Sequence, residues 1–126
     1  MLIALKKEIS TNSAFISEDE IIESIYFGGG TPSLLETIEI SSILNTIGNR
    51  FTISSDAEIT LEANPDDISY SKVREWMNLG INRISLGIQS FYDKELQWMN
   101  RTHSGNQSIL SINQILDAGI SNFSVD

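Results

Sequence analysis

Hydrophobic and polar positions change period along this chain. Leu2, Leu5 and Ile9, with Lys6, Lys7 and Glu8 beside them, recur at helical spacing and predict an amphipathic helix from almost the first residue. Ser10–Ser17 reads as a polar linker. Ser24–Phe27 is a short β-rich run ended by Gly28. Ile40, Ile43, Leu44 and Ile47 return to helical spacing, so a helix is predicted from Ser33 to about Ile47, with Gly48-Asn49 as its stop. Ala57–Ala63 alternates Ile59 and Leu61 against Thr60 and Glu62 and predicts a strand; a turn follows at Asn64-Pro65-Asp66-Asp67. Val73, Trp76 and Met77 make the next helix face, and Gly80 suits its C-terminal cap. Ile81–Ile88 is predicted as strand, Asp93–Met99 as a short helix, and Ser104–Ala118 as a longer helix with Ile109, Ile112 and Leu116 on its apolar face. Gly119 caps that helix, and Ser121–Asp126 begins a last strand. Trp76 and Trp98 are expected to pack core faces.

Strands that alternate with helices demand a parallel α/β sheet with right-handed crossovers. Two segments, Leu79–Ser85 and Ala118–Ser124, both run Gly-Ile-x-x-apolar-Ser out of a helix, an echo of shared unit geometry. Four strands suit either an open doubly wound sheet or an arc of a (β/α) barrel, and the pattern does not choose between them.

The chain has 126 residues, enough for one small domain. Its net charge of −9 argues against nucleic-acid backbones and anionic membranes as partners. No window is apolar for long enough to cross a bilayer and no signal-peptide pattern opens the chain, so a soluble cytoplasmic protein is expected. There is no cysteine, hence no disulfide, no thiolate nucleophile and no thiolate-held cluster from this chain.

In either architecture ligands bind at the C-terminal ends of the strands. Gly28-Gly29-Gly30-Thr31, Glu62-Ala63-Asn64-Pro65, Gln89-Ser90 and Asp126 fall at four successive ends and predict one ring of polar groups. The glycine run has no lysine at the spacing of a Walker loop and only part of a dinucleotide fingerprint. It reads either as a tight βα turn, with Thr31 or Ser33 as N-cap and Pro32 in the first turn, or as backbone kept bare for a ligand. Glu62 is either a solvated residue of an edge strand or an inward carboxylate for ribose hydroxyls or a cationic group. Arg83, early in its strand, is expected to be structural, whereas Arg101 could meet a carboxylate. His103, the single histidine, is expected at the surface or in a loop, and no metal site is expected.

The stretches YFGGGTPSLL, EITLEANPDD, GINRISLGIQSF and NRTHS, in this order and spacing, resemble radical S-adenosylmethionine proteins of the oxygen-independent coproporphyrinogen III oxidase family. The spellings EANP and GIQSF, with Arg101-x-His103, are nearer to its HemW-type haem chaperone branch. The resemblance covers nearly the whole chain and implies an arc, of about four strands, of a partial (β/α)6 barrel. It also implies site residues. Gly29 falls at a contact to a cluster-bound S-adenosylmethionine, as does Glu62. Gly30, Thr31, Gln89, Arg101 and Asp126 match positions around a second S-adenosylmethionine.

One departure matters. The family holds a [4Fe–4S] cluster on a CxxxCxxC motif, and this chain has no cysteine. Residues 1–126 are therefore expected to be a partial core domain, lacking the first strand, the cluster loop and the C-terminal region, and inactive alone. The parent would bind the cluster and haem and deliver haem. The alternatives are a parent that decarboxylates coproporphyrinogen III to protoporphyrinogen IX in porphyrin biosynthesis, and a degenerate, non-catalytic binding module. Open sheet edges would invite self-association.

Overall fold

Alternation along the central strands sets the architecture. In the computed structural model, which describes residues 1–11 and 20–126, four strands carry it: β1 (Ile21–Phe27), β2 (Thr52–Ala63), β3 (Arg83–Leu86) and β4 (Phe123–Val125). The helices are α1 (Leu2–Thr11), α2 (Thr37–Gly48), α3 (Tyr70–Asn78), α4 (Asp93–Trp98) and α5 (Gly105–Ala118). The sheet order is β1-β2-β3-β4, all parallel. Among the described residues no reversal of strand order occurs, and so there is no doubly wound switch point. Successive right-handed crossovers then put the helices on one face, as in an arc of a barrel.

The register shows how the two faces differ. Ile25 pairs with Ile59, Phe27 with Leu61, Leu61 with Ile84 and Ile84 with Phe123, so one face is an apolar layer. That layer meets Ile40, Ile43, Val73, Trp76 and Ile115 from the helices. Tyr26 pairs with Thr60, Thr60 with Arg83, Glu62 with Ser85 and Ser85 with Ser124, so the other face is polar. Arg83 lies on it early in β3, 3.5 Å from Glu58 Oε1 and donating to Ser124 Oγ at 3.3 Å. The structural role expected for Arg83 is what these contacts describe.

β1 and β2 are longer than their periodicity predicts. Their pairing jumps from Ile22↔Ile53 to Ser24↔Glu58, leaving extra residues on β2. The predicted strands, starting at Ser24 and Ala57, are close to the part beyond this irregularity. β3 is shorter than predicted at both ends. Ile81 is occupied in capping α3, its N–H donating to Trp76 O; beyond Leu86, Gly87 N–H still reaches Ala63 O of β2, and the chain then turns, Ile88 N–H donating to Leu86 O and Ser90 N–H to Ile88 O. The predicted helix from Ser33 is split into a 3-10 turn at Pro32–Leu34 and α2. Leu35 and Glu36 are extended between them, and Glu36 N–H donates to Glu39 Oε2 at 2.9 Å to start α2. Of the predicted linker, Ser10 and Thr11 end α1 and residues 12–17 lie outside the described residues. Within α1, Leu2 and Ile9 pack against the core while Leu5 stays 40% exposed.

The internal echo is a repeated cap. Gly80 N–H donates to Met77 O and Ile81 N–H to Trp76 O; Gly119 N–H donates to Leu116 O and Ile120 N–H to Ile115 O. Both glycines have positive φ, the αL ending that relieves the last carbonyls.

Two expectations about faces are corrected. On α5 the buried positions are Ser108, Ser111, Ile115 and Ala118, while Ile109 and Leu116 are about half exposed. Small residues let α5 approach closely, and their hydroxyls are satisfied within the helix, Ser108 Oγ on Ser104 O and Ser111 Oγ on Ser108 O. Trp76 is fully buried, but Trp98 is 87% exposed. α4 has six residues and buries only Leu96. Trp98, two positions on, lies on the opposite side of the helix.

These placements predict opposite outcomes for the two tryptophans. Trp76→Ala is expected to cost about 3–5 kcal/mol, and Trp98→Ala less than about 0.5 kcal/mol. Urea unfolding followed by circular dichroism measures both.

Candidate functional site

Parallel strands that end at one level bring their C-terminal loops together, and here the loops enclose a polar cleft of about 250 Å³. Gly30, Thr31, Glu62, Gln89, Arg101 and Asp126 all line it, from five different parts of the chain. Six of the seven site residues named from the sequence are therefore brought together. Gly29 is not on this lining. It belongs to a neighbouring apolar groove between α1, β1 and α2, and it reaches the cleft through its N–H, which donates to Glu62 Oε2 at 3.1 Å.

Glu62 stands on an interior strand, flanked by β1 and β3, so the solvated edge-strand reading does not hold. Its side chain is half-buried on the polar face. Oε1 accepts Tyr26 O–H at 2.9 Å and Oε2 accepts the Gly29 N–H. A carboxylate has about four acceptor positions, so Glu62 keeps capacity for a further donor.

The three glycines have separate causes. A Cβ on Gly28 would lie 2.7 Å from the Tyr26 ring and 3.1 Å from Glu62 Oε1. Gly29 and Gly30 have φ of +84° and +72°, a region costly to other residues. Apart from their chain neighbours, no heavy atom stands within 4 Å of where their Cβ atoms would be, so this backbone is open. Thr31 occupies the N-cap position of the 3-10 turn, with Pro32 following, but its side chain makes no cap bond. Ser33 is instead buried, its Oγ donating to Asp67 Oδ2 at 2.6 Å.

The loop after β2 joins its neighbours on both sides. Asp67 accepts Ser33, Asp66 accepts Thr102 O–H, and Asn64 Oδ1 accepts Arg101 Nη1 at 3.5 Å. Asn64 Oδ1 is thus a contact of Arg101 within the chain, and the aspartate of the same turn holds Thr102.

Gln89 has φ of +69°, unusual for a residue other than glycine. Its N–H donates to Asp126 O, and its Nε2 to Asp126 Oδ2 at 3.4 Å. β3 and β4 thereby end in a common polar corner. His103 lies in the loop before α5, one of the two expected places, but not at the surface; it is 4% exposed, and its Nε2 lies 3.0 Å from Ile88 O. Burial follows from the loop before α5 folding back under the β3 loop.

Tyr26, Ser85 and Gly87 also belong to the site and were not foreseen. Ser85 and Gly87 line the cleft, and Tyr26 holds Glu62. Only the register Tyr26↔Thr60 and Glu62↔Ser85 brings them together, although the alternation of β2 already identified the face.

No group of three or more His, Cys, Asp or Glu among the described residues is placed to hold a metal ion. The 126 residues contain no cysteine, and an iron–sulfur cluster is held by thiolates, so the donor set here does not fit one.

Residues 7–126 match the model of the Radical SAM superfamily. The heme chaperone HemW of Buchnera aphidicola subsp. Schizaphis graminum is 38% identical over 122 residues, covering 97% of this chain and 32% of the relative. Radical S-adenosyl methionine domain-containing protein 1, mitochondrial, of Bos taurus is 40% identical over 91 residues, or 72% of this chain and 21% of the relative. Among solved structures, coproporphyrinogen III oxidase (HemN) of Escherichia coli, described as a radical SAM enzyme, superposes with a TM-score of 0.88 at 26% identity, over 99% of this chain and 29% of that one. The archaeal Elp3 of Methanocaldococcus infernus superposes with a TM-score of 0.71 at 19% identity, over 98% of this chain and 33% of that one, a likeness of fold. The chain spans about a third, or less, of the length of these relatives. An unreversed parallel sheet, a polar cleft at its strand ends and a family match from residue 7 to residue 126 agree: the chain belongs to the radical SAM superfamily.

Proposed function

We propose that residues 1–126 are part of the core of a radical S-adenosylmethionine protein of the haem chaperone type, with S-adenosylmethionine held in the strand-end cleft. The observation that carries this is the convergence of Gly30, Thr31, Glu62, Gln89, Arg101 and Asp126 on one cleft. The open backbone at Gly29 and Gly30 fits a ligand lying along it. Glu62, with spare acceptor capacity, suits the ligand's cationic amino group, and Arg101 suits a carboxylate. Gln89 and Asp126 offer an amide and a carboxylate for ribose or amino groups. In this reading Gly29 and Glu62 serve one S-adenosylmethionine and Gly30, Thr31, Gln89, Arg101 and Asp126 a second. The cleft is smaller than the roughly 300–1,000 Å³ of full ligand sites, as suits one wall of a site that other segments complete.

In the whole protein a [4Fe–4S] cluster with S-adenosylmethionine would supply radical chemistry, its thiolates coming from outside these residues. Haem as cargo is supported by relatives such as the heme chaperone HemW, and delivery to acceptor proteins extends that reading. Among the described residues no helix is long and apolar enough to cross a membrane, and a cytoplasmic location belongs to this proposal. So does self-association through the outer edges of β1 and β4, which pair with only one strand each among the described residues. A second reading, a parent that oxidises coproporphyrinogen III, is favoured by the close superposition on HemN.

Two outcomes are expected. S-adenosylmethionine titrated into the 126-residue chain shifts the amide resonances of Gly29, Gly30 and Gln89 with a dissociation constant in the millimolar range, because the cluster that would chelate it has no ligands here. Absence of any shift up to about 10 mM would remove the cleft assignment, and micromolar binding would show that the cluster is dispensable for affinity. For the full-length protein, anaerobic reconstitution should give stoichiometric haem binding without protoporphyrinogen. Turnover of coproporphyrinogen III would decide for the second reading.

A further inference from the structure

We propose that His103 is a positioning residue: its imidazole clamps the turn that presents Gln89 to the cleft. The proposal rests on the assignment of Gln89 to the S-adenosylmethionine site, and it adds a residue that does not line that cleft.

Gln89 sits at the apex of a three-residue turn. Ser90 N–H donates back to Ile88 O at 2.8 Å, and Gln89 has φ of +69°. A γ-turn with positive φ at its centre is rare and strained, and an L-residue held there needs surroundings that over-determine it. The surroundings here are specific. The peptide between Ile88 and Gln89 is held at both ends. Its carbonyl accepts His103 Nε2 at 3.0 Å in addition to Ser90 N–H, and its N–H donates to Asp126 O. His103 is buried, so water does not compete for this bond.

The neighbourhood locks the same two loops together. Gly105 N–H donates to Asp93 Oδ1 at 2.9 Å. A Cβ on Gly105 would stand 2.2 Å from Phe91 O, so the β3 loop lies directly on the start of α5. His103 is also two residues from Arg101, whose Nη1 donates to Asn64 Oδ1. One ring therefore ties the loop bearing Gln89 to the loop bearing Arg101. Strain at Gln89 is kept because the amide must point into the cleft, and the histidine is what keeps it.

A carbonyl can only accept, so the geometry requires Nε2 to carry hydrogen. Long-range ¹H–¹⁵N spectra of the imidazole in the unmodified chain should show the Nε2–H form at neutral pH; a Nδ1–H tautomer would overturn the proposal. Amide hydrogen exchange gives the second readout. His103→Leu should lower protection of the Gln89 amide about tenfold more than that of Leu61 in β2, as loss of one buried hydrogen bond implies. His103→Gln, whose amide nitrogen reaches a comparable position, should restore most of it. Equal loss at Gln89 and Leu61 in both variants, or no loss at Gln89 in His103→Leu, would reduce the histidine to packing. Should His103→Leu not fold, the tautomer and the Gln variant still decide. With S-adenosylmethionine as probe, shifts at Gln89 should weaken in the Leu variant and return in the Gln variant. If the unmodified chain shows no shift at all, the assignment of the cleft falls, while the tautomer and exchange results judge the clamp independently.

Discussion

The segment from Glu62 to Asp67, where β2 ends, is the hinge on which the cleft depends. Glu62 accepts from the glycine loop, Asp67 accepts Ser33 from the 3-10 turn after it, and Asp66 and Asn64 accept Thr102 and Arg101 from the loop before α5. Loops at the ends of parallel strands have no ladder of their own to hold them together. Here one loop supplies acceptors to both neighbours, and carboxylates make these bonds stronger than neutral ones. The net acidity of the chain is thus partly spent in joining its loops.

That segment can act so only because β2 is interior and the sheet has one polar face. Strand alternation places Ile59, Leu61 and Ala63 toward the helices and Thr60 and Glu62 away from them. The apolar layer supplies most of the stabilisation through burial. The polar layer supplies little, since a partly exposed pair such as Arg83–Glu58 is worth about 0–1 kcal/mol. What it provides is direction: at the start of the strands its groups satisfy one another, and at their ends they are left facing the cleft.

Positive-φ backbone also shapes the same end. Gly29, Gly30 and Gln89 all have positive φ, and two of them line the cleft. Glycine relieves the first loop at little steric cost. The β3 loop uses glutamine instead and holds it with backbone and imidazole bonds. The difference follows from need, since the glycine loop offers bare backbone and the β3 loop offers an amide.

The sequence by itself determined the order of strands and helices and the caps at Gly80 and Gly119. It also determined that the unusual polar residues gather at the strand ends. These are short-range properties: period, capping and turn chemistry act over a few residues. For α2 and α3 the predicted faces are the buried ones, but for α4 and α5 the tertiary structure alone decided which side is buried. The stripe of α5 runs through Ser108 and Ser111 because the small side chains allow close approach, and Trp98 is left outside because α4 has only Leu96 to bury. It alone decided the register jump that brings Tyr26 beside Thr60, and with it the partner of Glu62. It also took His103 into the interior, where one carbonyl from a distant loop accepts its ring. Each of these depends on pairing between segments far apart in the chain, which no local pattern encodes.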